Sequence, residues 1–378
     1  MRTPSTNRTV HEGETADTCP MRLLLLGALG PYPERLQTFR DAGHHLWWIS
    51  TLLLPPTGPV TGINACHLWD LAPAPEEAVE RLVELIDTER MDAVYSLLNV
   101  WDGSHHPTAL LLRRGCPVPV IRHYKEHYLS PSADERTCLE QSDGVIFINR
   151  ESRDYFATCY QLPARTACLD ADLLPQRYLA GTLQPRLSAQ DGHPHLLIAG
   201  TATDDGGRYD YRELIRELTG HAAHIHLYGQ FRRMDASGRY QAALDVEATY
   251  RALTGNGYLH LHALVPPARF VDEWSRYDAG LLHVPRPDDP FSRLNMPNRY
   301  SAYLAAGVPV ALPVGHMPAM QRHLEALGAA IVYADTADLV RRVPDVEAMQ
   351  GALKSRAAVT FEAVFPDLMN FVRDVCGD

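Results

Sequence analysis

From Met21 onward, short unbroken apolar runs alternate with stretches whose apolar residues recur at helical spacing. Residues 22–26 are one such run, stopping at Gly27 and Gly30 as a strand buried on both faces would. A helix is predicted from Glu34 to Ala42, a second strand after Gly43, and a helix over Pro75 to Arg90 with Ala78, Leu82, Leu85 and Ile86 on one face. Further strands are predicted at 92–97, 117–122 and 144–148, each preceded by a candidate helix. The pattern then lapses between Leu162 and His195, where Pro163, Pro175, Pro185 and Pro194 fall among residues of little periodicity, and the segment reads as a linker. A second cycle follows, with strands at 195–201, 224–229, 258–262, 279–284, 308–312 and 329–333 and a helix starting near Tyr211. The first of these strands ends in Gly200 and the second in Gly229. Strands alternating with helices predict parallel sheets covered on both faces, an α/β fold in two domains.

Composition agrees with a globular chain of more than one domain: 378 residues, 46% hydrophobic and 21% charged. The formal charge of −11 argues against broad binding to nucleic acid or to an anionic membrane, so substrate phosphates would need a local basic pocket. The seven cysteines form no CxxC pair, which points to reduced thiols and a cytoplasmic location rather than a zinc ribbon or a disulfide framework. Residues 1–20 are polar and threonine-rich, a disordered tail rather than a secretory signal, and no apolar run is long enough to span a bilayer.

The densest chemical signal lies between Phe291 and Val314. Pro297 suits a first helical turn, Asn295 or Asn298 can cap the helix amides, and Gly307 ends the helix before an apolar strand. Such a helix start favours an anion. Pro297-Asn298-Arg299, followed by Tyr303-Leu304-Ala305-Ala306-Gly307-Val308-Pro309-Val310, resembles the donor-binding segment of the GT-B glycosyltransferases, in particular the large retaining group similar to glycosyltransferase family 4. The resemblance implies two Rossmann-like domains facing across a cleft, with a nucleotide-diphosphate sugar as co-substrate, no metal or other cofactor, and an acceptor small molecule or glycan. Relatives carry two glutamates in this segment, and Leu294 and Ala302 stand at those positions here. Either the donor contacts differ or the site is silent. Domains are expected at 21–185 for the acceptor and 186–350 for the donor. The remainder, 351–378, carries Phe361, Val364, Phe365 and Leu368 at helical spacing and is expected to pack back on the first domain as in relatives.

Open parallel sheets bind ligands at the carboxyl ends of their strands, which selects the candidate residues. The loop from Gly200 and Thr201 to Arg208 offers amides, hydroxyls and a guanidinium to a diphosphate, and Arg293 and Arg299 can neutralise the leaving group. Tyr228 and Gly229, with Leu264 and Val265, match places where relatives hold the base and ribose. Asp288 or Asp289 is a candidate to replace the missing carboxylate. On the first domain, Gly30, Tyr32, Asn99, Trp101, Asp102 and Lys125 are candidates to orient an acceptor, and His123 or Glu126 would serve as base if the reaction inverts. His123 to His127 spells H-x-x-E-H, but on a strand end rather than a helix, so zinc binding is not expected. His260 and His262 alternate along a strand and suit packing or a surface face. Two rivals stand beside glycosyl transfer: a nucleotide-sugar epimerase of the same architecture, disfavoured by the lack of paired acidic motifs, and a silent sugar-nucleotide-binding or partner protein.

Overall fold

The computed structural model describes residues 19–27, 32–50, 65–68, 75–96, 107–124, 132–207, 209–234, 240–284, 290–343 and 345–377. The first sheet holds β1 (Arg22–Leu26), β2 (His45–Ser50), β3 (Ala65–Leu68), β4 (Ala93–Ser96), β5 (Val120–Tyr124), β6 (Gly144–Phe147) and β7 (Arg165–Cys168). All are parallel, in the order β3-β2-β1-β4-β5-β6-β7. The second sheet holds β8 (His195–Ala202), β9 (His224–Met234), β10 (Tyr240–Ala242), β11 (Leu259–His262), β12 (Ala279–Leu281), β13 (Val310–Pro313) and β14 (Ala330–Tyr333). Its parallel order is β11-β9-β8-β12-β13-β14, with β10 running antiparallel beside the far end of β9. Two parallel sheets with helices on both faces bear out the α/β fold in two domains.

The central strand of each sheet shows why continuous apolar runs are required. On β1, Leu23 and Leu25 enter one core while Leu24 and Leu26 enter the core on the opposite face. On β8, Leu196 and Ile198 face one way and Leu197 and Ala199 the other. Helix Phe361–Cys376 belongs to the first sheet, with Phe361, Phe365, Leu368, Met369, Val372 and Val375 packed beside Leu23, Leu25, Phe39 and Ile146. Each such side chain contributes about 1.5–3 kcal/mol by leaving water. Residues 351–355 belong instead to helix Val346–Ser355, where Ala352 joins the core shared with helix Arg299–Ala305. Among the described residues, no helix is long and apolar enough to cross a membrane.

The stretch expected to be a linker is a structural element, which corrects that expectation. It supplies the edge strand β7 and then a strap, Asp170 to Leu174, that is buried throughout. The half-exposed edge strand has no apolar run to announce it, and the strap is held by polar groups. Asp172 pairs with Arg35 of the first domain at 2.6 Å and accepts a hydrogen bond from Asn298 of the second at 2.5 Å. Tyr300 donates to Asp170 at 3.3 Å, and Asn149 donates to the Leu294 carbonyl at 2.7 Å. The chain passes between the domains twice, and the two passages touch where Leu174 bridges Thr360 in parallel, the Phe361 amide donating to the Leu174 carbonyl at 2.9 Å.

Candidate functional site

Strands β8 and β9 set two glycines side by side, Gly200 two residues before the end of β8 and Gly229 at the middle of β9, so both strands run past the glycines at which the sequence suggested they would end. Gly200 has φ +111°, a conformation costly for any other residue, and Gly229 lies opposite it in register. A Cβ on Gly229 would stand 3.0 Å from the Gly200 carbonyl oxygen, so this point of the sheet is bare backbone, with half-buried Thr201 just beyond. Arg299 reaches this point from helix Arg299–Ala305. Its Nη1 donates to the Ala199 carbonyl at 3.1 Å and to the Tyr211 hydroxyl at 2.6 Å, and the guanidinium lies against the rings of Tyr209 and Tyr211. Tyr303, four residues on, accepts the Ala199 amide at 2.9 Å and fixes the same point of the strand from behind. Its ring passes so close to β12 that a Cβ on Gly280 would lie 2.3 Å from it.

The capping expectation fails. Asn298 has helical dihedrals and makes no side-chain cap, because its amide is directed to Asp172 instead. Asn295 is buried, 3% exposed, and Arg293 is exposed on helix Pro290–Leu294. Leu294 and Ala302, at the glutamate positions, are both buried, Ala302 within the core that the domains share.

The loop after β8 also differs from expectation. Its glycine amides are not free: Gly207 donates to Asp205 at 2.8 Å and Gly206 to Asp210 at 2.9 Å. Carboxylates within the loop thus occupy positions where a phosphate would be cradled. Arg212 compensates, donating from Nε to Asp210 at 2.9 Å and from Nη2 to the Asp204 carbonyl at 2.7 Å. Asp210 is held below the usual carboxylate range: burial opposes this, and the Arg212 side chain with the Gly206 and Arg212 amides overrides it.

These residues border a cavity of about 510 Å³ lined by Gly206, Asp210, Arg212, Glu213, Arg216 and His283. His283 lies two residues beyond the end of β12, and its Nδ1 is buried without a hydrogen-bond partner among the described residues. Burial lowers its pKa to about 4, with His316 acting in the same direction and Asp210 against. Since the folded value lies below the unfolded one, the stability tied to this ring is whole above pH 6.5 or so and drains as pH falls toward 4. Urea unfolding near pH 7 and near pH 4.5 is expected to show an acid loss about 2–3 kcal/mol larger for the wild type than for His283→Gln. Equal losses would remove His283 as the cause.

A second cavity, about 720 Å³, opens between the middle of β9 and the end of β11 and is lined by Gly229, Gln230, Phe231, Arg232, Tyr240 and His262, among others. Leu264, 50% exposed, and half-buried Val265 follow directly after its floor. Tyr228 contributes support rather than a free ring: it is buried, stacks on His262 at 4.3 Å and meets the Tyr277 hydroxyl at 2.6 Å. On the first domain, His123 is enclosed in β5, with Nδ1 3.0 Å from the Tyr95 hydroxyl, which is not the exposed position of a base. Tyr32 is likewise buried, its carbonyl accepting from Arg35 at 3.0 Å. Gly30, Asn99, Trp101, Asp102, Lys125, Glu126, Arg208, Asp288 and Asp289 lie outside the described residues. The structure therefore brings together Gly200, Thr201, Gly229 and Arg299, and adds Arg212 and Asp210, which sequence reasoning missed. Arg212 was concealed as an ordinary polar position of an amphipathic helix.

No family model matches the chain, and no curated protein does. Solved structures match over nearly its whole length. HepE of Anabaena, in complex with UDP and glucose, aligns with a TM-score of 0.65 at 11% identity, covering 94% of this chain and 100% of that one. Sucrose-phosphate synthase from Thermosynechococcus elongatus aligns with a TM-score of 0.63 at 13% identity, covering 94% and 99%. A glycosyltransferase from Rickettsia africae gives 0.67 at 9% identity, covering 94% and 98%. At these identities the likeness is one of fold, and the fold is that of the GT-B glycosyltransferases, as the Pro297–Val310 resemblance implied.

Proposed function

We propose that the protein is a glycosyltransferase that moves a sugar from a nucleotide-diphosphate donor to an acceptor bound on the first domain. The observation that carries this reading is the juxtaposition of bare glycine backbone on β8 and β9 with Arg299, near one open cavity lined by Gly229 and another lined by Arg212 and His283. The diphosphate would lie over Gly200 beside Arg299, the base in the cavity by His262, and the transferred sugar toward His283 and the loop that follows it. Fold neighbours whose structures hold UDP, such as HepE, support a nucleotide-diphosphate ligand.

No metal is required by the reading, since Arg299 supplies positive charge where the leaving group forms. We propose retention of configuration: the bond from the anomeric carbon to the diphosphate breaks, the acceptor oxygen bonds on the same face, and its proton passes to the departing phosphate. Product spectra resolving the anomer test this. An inverted product would require a base, with Glu126, Asp102 or a rearranged His123 as candidates.

Leu294, Ala302 and the self-occupied loop amides favour one alternative, a protein that binds nucleotide sugars without turning them over. One paired experiment separates the readings: a thermal-shift screen against nucleoside diphosphates, then donor hydrolysis with a panel of nucleotide sugars. Glycosyl transfer predicts a raised Tm with one base and release of that diphosphate, with about 2.7 kcal/mol of stabilisation at a hundredfold excess over Kd. Binding without release under any acceptor supports the silent reading, and no shift with any diphosphate overturns both.

A further inference from the structure

At the end of the second sheet where its strands begin, remote from these cavities, the first residues of β8 and β9 are both histidines. They are in register, and their rings stack at 4.5 Å. Asp191, from the turn before β8, faces both: its Oδ2 lies 3.0 Å from His195 Nε2 and 3.7 Å from His224 Nε2. The other Asp191 oxygen accepts the His193 amide at 2.9 Å, which fixes the carboxylate in this pose. The three ligand atoms fall within 4.8 Å of one another, against an edge of about 3.3 Å for tetrahedral ligands at 2.0–2.1 Å from zinc. The His195 side chain is only 7% exposed, whereas Asp191 is 40% exposed and leaves an entry path.

Behind each of these rings stands another imidazole. His195 Nδ1 is 2.9 Å from His226 Nε2, and His226 Nδ1 is 3.0 Å from His262 Nε2. His224 Nδ1 is 2.9 Å from His260 Nε2. A neutral imidazole has one donor and one acceptor nitrogen, so each row has two self-consistent proton arrangements. With every proton on Nε2, the row donates toward Asp191. With every proton on Nδ1, the Nε2 lone pairs of His195 and His224 face Asp191, and each ligand ring donates its other N–H to a fixed acceptor, as metal-bound histidines do. Shifting a row from the first arrangement to the second releases one proton beside Asp191 and takes one up at the far ring, so the net charge is unchanged.

We propose that Asp191, His195 and His224 bind a divalent transition ion of the zinc class, and that its occupancy sets the tautomer of His262 in the cavity between the middle of β9 and the end of β11. Imidazole and carboxylate ligands suit such an ion, with solvent completing the coordination. The site lies at the strand starts, apart from the residues given to glycosyl transfer, and does not depend on that activity.

The test uses the full-length protein and Co²⁺ as probe. One equivalent is expected to bind with visible d–d bands, to lack thiolate charge transfer, and to be displaced by Zn²⁺, which separates the site from the exposed Cys19, Cys159 and Cys168. Asp191→Asn, a surface change checked for an unaltered Tm, is expected to weaken binding tenfold or more, and His224→Gln likewise. Nitrogen NMR of histidine-labelled protein should show His226 and His262 moving to the Nδ1–H form on Zn²⁺ addition. Failure to take up Co²⁺, or uptake that both substitutions leave unchanged, overturns the site. Uptake with no change at His262 overturns the coupling.

Discussion

Asp172→Ala is expected to cost about 3–5 kcal/mol of stability, among the largest effects available to a single substitution here. The carboxylate is 1% exposed and meets Arg35 on one side and Asn298 on the other. The substitution removes a carboxylate that lies 2.6 Å from a guanidinium itself 9% exposed, one that also donates to the Tyr32 and Ala171 carbonyls. Asp172→Asn should fall between the two, keeping the shape without the charge. Urea titration measures the loss at the first transition, since a two-domain chain need not unfold in one step. A double-mutant cycle with Arg35→Met should recover part of it, because a buried pair removed whole costs less than one broken. A loss below about 1 kcal/mol would show that the strap does not depend on this pair.

Arg299→Ala is expected to reduce donor turnover about 10²–10³-fold, the usual consequence of deleting one preorganised donor to a developing negative charge. The side chain is held by the Ala199 carbonyl and the Tyr211 hydroxyl, so alanine also leaves two acceptors unpaired, at about 1–3 kcal/mol of stability. Arg299→Lys keeps the charge but loses the planar fork and should restore activity only in part. A fall in kcat larger than any rise in KM would place the interaction in the transition state. Unchanged turnover and unchanged diphosphate affinity in Arg299→Ala would remove this residue from the site.

The parts of the fold that could be read from the chain are those where one face or both are uniformly apolar. Residues 23–26 and 196–199 announce themselves as central strands because every side chain enters a core. Phe361 to Val375 shows its stripe because one side of that helix lies on the first sheet. β7 and the three-residue β10 leave no such trace, being short edge segments. The Asp170–Leu174 strap is buried through polar partners from both domains, and no local pattern encodes partners that distant.

The candidate site divides in the same way. Arg299 was visible through the motif around it, but the cavity joining Arg212 to His283 exists only once the helix after β8 and the end of β12 are brought together. The alternating histidines at 260 and 262 were legible as a strand face. Their pairing into rows with the histidines of β8 and β9 was not, because it depends on β9 lying between β8 and β11. The loop from Thr203 to Asp210 misled for a related reason: glycines suggest free amides, and only the fold shows that Asp205 and Asp210 turn back onto them.

The contact between Leu174 and Thr360 limits how the two halves can move. A single tether would leave each half free to swivel about the chain axis. Two covalent passages side by side resist that torsion and leave a rocking motion, as two pins in one leaf define a door's axis. Opening and closing would then present the same strand ends to one another on every cycle, and alignment across the gap would not have to be found anew each time.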